Sequence, residues 1–176
     1  TLLALEACDI IREIVVAASE ETLVTYAELG KSLGITKLTK VVKGGDTRQE
    51  SVYNGLCTLP EDTRLVAIHD GARPFVSEEV IRATLESAEA CGSGVISTPV
   101  IDTIKQVDGE GFAVATPPRD TLRAVQTPQS FRYAEIMAAH RQAMAENYTS
   151  TDDAALYESV YGKVKLVQAK GAEINK

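Results

Sequence analysis

Apolar positions along the chain switch repeatedly between a helical and an extended spacing. Leu2, Leu3, Leu5, Ile10 and Ile11 sit among Glu6, Asp9, Arg12 and Glu13, which predicts a helix with one apolar face. Ile14-Val15-Val16-Ala17-Ala18 is short, β-branched and unbroken, and reads as a buried strand. A helix is expected from about Glu20 to Leu33, with Leu23, Tyr26, Ala27 and Leu33 inward and Gly30 weakening its end. The strand Leu38-Thr39-Lys40-Val41-Val42 follows and stops at Gly44-Gly45. Arg48 to Cys57 reads as helix, Leu65-Val66-Ala67-Ile68 as strand, and Ser77 caps a helix running to about Ala90, with Glu78 and Glu79 in its first turn. Gly94 to Val100 reads as a further strand. Strands and helices in alternation, the strands apolar on both sides, predict an α/β fold with a mainly parallel sheet and helices on both faces.

Ile101 to Arg123 breaks the rhythm. Thr103-Ile104-Lys105-Gln106-Val107 and Phe112-Ala113-Val114-Ala115-Thr116 flank Asp108-Gly109-Glu110-Gly111, which predicts a β-hairpin. It interrupts the series and has no obvious sheet to join, and an isolated hairpin is marginal in water. The expectation is an arm, residues 101–123, that packs on another subunit; the alternative is a hairpin folded back on its own domain. Beyond it, Val125 to Thr127 reads as a short strand, and Tyr133 to Asn147 as a helix with Ile136, His140 and Met144 on one side. Ser150-Thr151-Asp152-Asp153 has capping-box spacing ahead of Ala154 to Tyr157, and Lys163 to Val167 is a last strand.

Length and composition narrow the function. A chain of 176 residues, 44% hydrophobic and 24% charged, suits one domain whose core needs no crosslinks. Cys8, Cys57 and Cys91 form no C-x-x-C pair, which opposes a disulfide framework or a cysteine zinc site; each is expected to be a buried, inert thiol. A formal charge of -7 opposes nucleic-acid binding, and no apolar run approaches membrane-span length. The sequence opens with a helix at Thr1, whereas a doubly wound sheet ordinarily starts from a central strand and a phosphate-cradling loop. A preceding segment is therefore expected.

Candidate chemistry gathers at strand ends, where open α/β sheets bind their ligands. Gly44 and Gly45 allow close approach of a flat ligand, and Asp46 with Gln49 can cap the helix carrying Arg48 and Ser51. His69-Asp70-Gly71-Ala72-Arg73-Pro74 joins a carboxylate and a guanidinium at one strand end. That pair can hold a metal or hydroxyl and a phosphate, or can be a structural ion pair. His69 is expected to support the strand end rather than act as a base, and His140 to be a surface or boundary residue. No G-x-S-x-G elbow supports serine hydrolysis, and two isolated histidines give no zinc cluster.

Taken together, Gly44-Gly45-Asp46-Thr47-Arg48-Gln49-Glu50-Ser51-Val52, His69-Asp70-Gly71-Ala72-Arg73-Pro74, Pro99-Val100-Ile101-Asp102-Thr103-Ile104-Lys105, Arg119, Thr127-Pro128-Gln129-Ser130-Phe131 and Thr151-Asp152-Asp153-Ala154 resemble the 2-C-methyl-D-erythritol 4-phosphate cytidylyltransferase family of the non-mevalonate isoprenoid pathway. The resemblance spans essentially the whole sequence. It implies a Rossmann-like nucleotidyltransferase domain over residues 1–176, lacking the family's N-terminal strand and glycine-rich triphosphate loop. It implies that Gly44, Gly45, Asp46 and Ser51 read the cytosine edge of CTP and that the backbone at Gly71 meets the ribose. It implies that Asp70, Arg73, Thr127 and Lys176 hold methylerythritol phosphate. It implies that Thr103 and Arg119 reach a partner subunit's substrate from the hairpin arm of a homodimer. The late Asn-x-Lys motif is imperfect in Ile174-Asn175-Lys176. Mg²⁺ or another divalent cation is the implied cofactor, with Asp70 a possible ligand, and the implied compartment is the bacterial cytoplasm or a plastid. The alternatives are a ribitol-5-phosphate cytidylyltransferase and a catalytically silent nucleotide-binding homologue.

Overall fold

The computed structural model describes residues 1–169. In chain order the elements are helix α1 (Leu2–Ala7), strand β1 (Ile14–Ala18), helix α2 (Leu23–Ser32) behind a 3₁₀ turn at Glu20–Thr22, strand β2 (Leu38–Lys43), helix α3 (Arg48–Leu56), strand β3 (Leu65–Ile68), helix α4 (Glu78–Cys91) and strand β4 (Ser93–Pro99). The hairpin strands β5 (Gln106–Val107) and β6 (Ala113–Ala115) follow, then a 3₁₀ turn at Arg119–Thr121. Strand β7 (Arg123–Arg132), helices α5 (Tyr133–Glu146) and α6 (Asp153–Tyr161), and strand β8 (Leu166–Gln168) complete it.

The α/β prediction holds. β1 and β2 form a parallel pair, and β3-β7-β4-β8 form a second sheet. In that sheet β3, β4 and β8 share one direction and β7 alone opposes them, so its ladders with β3 and β4 are antiparallel. Adjacent residues of β4 point to opposite faces, as strand geometry requires. Val95 joins Val66, Phe131, Ile136, Met137, Ala139 and Leu156 in a core closed by α5 and α6. Ile96 joins Cys8, Val76, Val80, Ile81 and Ala169 under α4. Helices therefore cover both faces. At Gly94 a Cβ would lie 2.1 Å from the Thr84 carbonyl, so α4 approaches β4 as closely as it does only over a glycine.

Several expectations need correction. The short strand expected at Val125 to Thr127 is a ten-residue strand at the centre of its sheet. Its residues Thr127, Gln129 and Ser130 are polar yet buried, because distant partners satisfy them. Gln129 Nε2 donates to Asp152 Oδ2 at 2.9 Å, its Oε1 accepts from Ala154 N at 2.8 Å, and Ser130 Oγ donates to Thr84 Oγ1 at 2.9 Å. The α3 cap is Thr47 with Glu50, one residue later than Asp46 with Gln49. The α6 cap is Asp152, which accepts from Ala155 N, and not Ser150. His140 is fully buried, since α5 turns it toward α3 and α6 with Ile136, Met137 and Ala143. Of the cysteines only Cys8 is buried; Cys57 and Cys91 are exposed.

The hairpin forms over fewer residues than its alternation suggests, and among the described residues it pairs only with itself. Asp108 Oδ1 accepts from the amides of Glu110 and Phe112, and Gly111 takes φ +88 to close the turn. Ile101, Val107, Phe112 and Val114 are exposed along it.

Candidate active site

Two turns at strand ends converge. The first leaves β2 through Gly44 and Gly45 and enters α3. Thr47 accepts from Glu50 N at 3.1 Å, while Glu50 Oε2 accepts from the amides of Asp46 and Thr47 at 2.7 and 3.1 Å. This capping box fixes the helix start. Ser51 Oγ donates to Thr47 O at 2.9 Å and accepts from Gly45 N at 3.0 Å, folding the turn over the helix. A Cβ at Gly45 would sit 2.2 Å from Glu50 Cβ, and one at Gly44 would sit 2.7 Å from Ser51 Oγ. Both glycines are there for lack of room. Asp46 is exposed at the rim of this turn.

The second turn leaves β3 at His69 and Asp70. Asp70 N donates to Thr127 Oγ1 at 3.0 Å, and the same hydroxyl lies 3.0 Å from His69 Nδ1. His69 Nε2 lies 3.0 Å from the Arg73 carbonyl, which can only accept. Nε2 therefore carries the proton, Nδ1 is the acceptor, and Thr127 donates its hydrogen to it. Burial pushes the His69 pKa down, consistent with a neutral ring. His69 thus braces the turn, as the sequence predicts. Gly71 is exposed, with open space where a Cβ would stand, and its carbonyl accepts from Thr1 Oγ1 at 2.8 Å.

Asp70 joins the two turns. Its Oδ2 accepts from Arg73 Nε at 3.3 Å, and its Oδ1 accepts from Arg48 Nε and Nη2 at 3.3 and 3.2 Å. Arg48 Nη1 also donates to the buried Asp153 Oδ2 at 2.7 Å, although the two residues are 105 positions apart. Burial lowers the Arg48 pKa, but the carboxylates of Asp153 and Asp70 outweigh it and leave the guanidinium above its usual value. The sequence offers Asp153 only as a capping-box acid and motif residue and Gln129 only as a motif residue, and it does not show the span of Arg48. The only local signal was an arginine just inside a capped helix and two adjacent acids at another helix start.

The structure therefore brings together Gly44, Gly45, Asp46, Ser51, Asp70, Gly71, Arg73 and Thr127. Thr103 and Arg119 are exposed on the hairpin segment, and Arg119 Nη1 donates to Ile101 O at 2.6 Å. No hydrogen bond or ion pair joins either to the Asp70 cluster among the described residues. Lys176 lies outside the described residues.

A protein-held divalent ion does not fit this cluster. Both Asp70 oxygens already accept from guanidinium groups, and the neighbouring carboxylate, Asp153, is buried against Arg48. Among the described residues the one trio of ligand-bearing side chains close enough to share an ion is Cys8, Asp9 and Glu78. Arg82 binds both of its carboxylates, at 2.6 and 2.8 Å. The chemistry available at the Asp70 rim is anion binding by guanidinium groups, beside the exposed Asp46 carboxylate. Among the described residues no helix is long and apolar enough to cross a membrane.

Comparison with known proteins agrees with that chemistry. Residues 1–175 match the family described as IspD: 2-C-methyl-D-erythritol 4-phosphate cytidylyltransferase. The enzyme so named from Desulforamulus reducens is 48% identical over 155 residues, covering 88% of this chain and 66% of that protein. The one from Pelotomaculum thermopropionicum is 45% identical over 168 residues, covering 94% and 70%. The crystal structure of 4-diphosphocytidyl-2C-methyl-D-erythritol synthase from Anaerococcus prevotii matches with a TM-score of 0.88 at 29% identity, covering 99% of this chain and 77% of that one. The chain thus spans 66% of the length of the first of these relatives.

Proposed function

The chain belongs to the 2-C-methyl-D-erythritol 4-phosphate cytidylyltransferase family, and from that premise we propose that it joins CTP to 2-C-methyl-D-erythritol 4-phosphate, releasing pyrophosphate, in non-mevalonate isoprenoid synthesis. The observation that carries the proposal is the meeting of the Gly44–Ser51 turn and the Asp70–Arg73 turn on one rim, tied by a shared carboxylate. In this reading a base and a phosphate take adjoining places there.

The cytosine edge lies along the turn of Gly44, Gly45, Asp46 and Ser51, where the exposed Asp46 carboxylate faces it and the Gly45 and Asp46 amides and the Ser51 hydroxyl hold the turn's shape. The open backbone at Gly71 faces the ribose. Asp70 binds a polyol hydroxyl, Arg73 turns its terminal nitrogens to the substrate phosphate, and Thr127 holds the Asp70 amide in place. Lys176 adds a further cation to that phosphate. The exposed hairpin, residues 101–123, crosses to a second copy of the chain, so that Thr103 and Arg119 of each copy complete the other's polyol phosphate site. Covering Val107, Phe112 and Val114 would account for their exposure in one chain. The relatives compared are bacterial, and the cytoplasm is the expected compartment.

The reaction is an in-line displacement. A phosphomonoester has a second pKa of about 6, so near neutrality its attacking oxygen is already an anion. No general base and no covalent intermediate are needed. The P–O bond to the incoming phosphate forms as the bond between the α- and β-phosphates breaks, and the electron pair leaves with pyrophosphate. The protein has to bring two anions together and offset charge on the transferring group. This is the positioning and electrostatic catalysis of phosphoryl-type transfer. No step is assigned to a protein-held metal, because Asp70 is already engaged by two guanidinium groups.

The test is steady-state release of pyrophosphate from CTP with each of two acceptors. Turnover with methylerythritol phosphate well above that with ribitol 5-phosphate is expected. A preference for ribitol phosphate overturns the substrate, and CTP binding without turnover of either overturns the activity.

A further inference from the structure

Arg48 has three bonds to two carboxylates, and nothing in the reaction above uses it. Its Nε–Nη2 edge holds Asp70 Oδ1 from one side while Arg73 holds Oδ2 from the other. Its remaining nitrogen, Nη1, reaches Asp153 at 2.7 Å. Asp153 is the first residue of α6, whose preceding N-cap, Asp152, is fastened to β7 through Gln129. A buried carboxylate needs a partner. Among the described residues Arg48 is the only arginine or lysine paired with it. The other basic group near it, His140 Nε2, stands 3.5 Å from Oδ1 and makes no hydrogen bond.

We propose that Arg48 is a positioning residue: anchored by Asp153 at the start of α6, it fixes the rotamer of Asp70 and so sets where the polyol phosphate binds. The role rests on the function proposed above. A planar guanidinium can span two carboxylates because its donors diverge in a fixed fork, whereas an ammonium on a flexible stem is a single point charge. The clamp also explains how α6, which bears no residue of the rim itself, comes to control it. Asp153 does not touch substrate in this arrangement; it orients the group that orients Asp70.

The distinguishing variants are R48K, R48Q and D70N, made in the whole protein. R48K keeps a charge for Asp153 but not the span to Asp70. In the absence of substrates, R48Q is expected to lower the urea midpoint by more than about 1 M, because it strands a buried carboxylate, and R48K by less than half as much. With CTP saturating, both variants are expected to lower kcat/KM for methylerythritol phosphate about tenfold to a hundredfold. In a D70N background, R48K is expected to cost less than about threefold, since a residue acting through Asp70 has little left to lose. A near wild-type R48K overturns the proposal, because charge alone would then suffice. An R48K loss as large with D70N as without it also overturns it, because Arg48 would then act elsewhere. If wild-type protein turns over neither polyol phosphate, the parent function fails instead. The clamp is then judged by the Asp70 backbone amide resonance, which R48K should displace without any ligand; an unmoved resonance refutes it.

Discussion

Replacing Thr127 by valine removes one hydroxyl and keeps the side chain's shape. In the wild type that hydroxyl accepts from Asp70 N and donates to His69 Nδ1, both at 3.0 Å, and Thr127 is only 3% exposed. Water cannot take its place without opening β7. The variant therefore leaves an amide and a ring nitrogen poorly satisfied, and an unmade buried bond costs about 1–3 kcal/mol. Both orphans are part-buried, so the sum should be about 2 kcal/mol, a fall in Tm of roughly 4–8 °C for a chain of this size. Calorimetry reads this directly. The Asp70 turn is also freed, so kcat/KM for the polyol phosphate should fall more than that for CTP. Thr127→Ser restores the hydroxyl and should recover most of both losses. A Thr127→Val protein melting within about 1 °C of wild type, or a serine variant no better than valine, would refute the claim that this hydroxyl braces the turn.

Other consequences are as testable. Burial depresses the His69 pKa, so the folded state binds a proton at His69 less readily than the unfolded chain. The stability contributed by the neutral ring is complete above about pH 6.5 and is lost as pH falls from there through the lower folded value; stability measured from pH 7.5 to 5 should show this slope, and His69→Gln should flatten it. Arg119→Ala should raise KM for methylerythritol phosphate about tenfold or more and leave KM for CTP nearly unchanged, since a charge-assisted contact to phosphate is worth about 1.5–3 kcal/mol. Mixing Arg119→Ala with Asp70→Ala protein should restore activity if the arms are exchanged, whereas an inactive mixture would count against the crossover. Gly94→Ala should destabilise by about 1–3 kcal/mol through overpacking, because the new Cβ meets the Thr84 backbone 2.1 Å away; an unchanged urea midpoint would contradict it.

What the sequence disclosed depended on whether a segment's reasons are local. Ile14–Ala18 and Leu65–Ile68 read as strands because their β-branched and apolar residues suit a pleated surface, and both were found, although only Ile14 and Val66 of them are buried. β7 was mostly missed because Gln126-Thr127-Pro128-Gln129-Ser130 looks like a loop in any short window. It is a central strand because Thr84, Asp152 and Ala154 satisfy its side chains from elsewhere in the chain. His140 misled for the same reason, as its burial follows from how α5 lies on α3 and α6. The α3 cap shows a narrower limit. Asp46 with Gln49 and Thr47 with Glu50 both have the spacing, but Gln49 is committed to Tyr148 O and Ser150 N, at 3.1 and 2.9 Å. Only Glu50 can close the box. Of the rim, Asp70, Arg73 and the glycine turn were legible as a motif, while the arginine that joins them to α6 was visible only once the chain was folded.

The arginines of the rim divide two tasks that a single cation could not perform together. Arg48 is largely committed: each of its three nitrogens donates to a carboxylate, three of its five N–H groups in all, and one of those carboxylates is buried. It can orient but has little left for a ligand. Arg73 gives Asp70 only its Nε, and its two terminal nitrogens make no bond among the described residues. Those nitrogens form the edge that suits a phosphate in two parallel bonds. With two carboxylates against two guanidinium groups the resting cluster is neutral, so under the proposed function it binds a phosphate dianion by geometry more than by charge. At a net charge of -7 the chain's distant field repels anions, so the two anionic substrates proposed for it depend on that local geometry. In the proposed function the further positive charge is Arg119 of the second copy's arm, and the mixing of Arg119→Ala with Asp70→Ala protein tests that assignment.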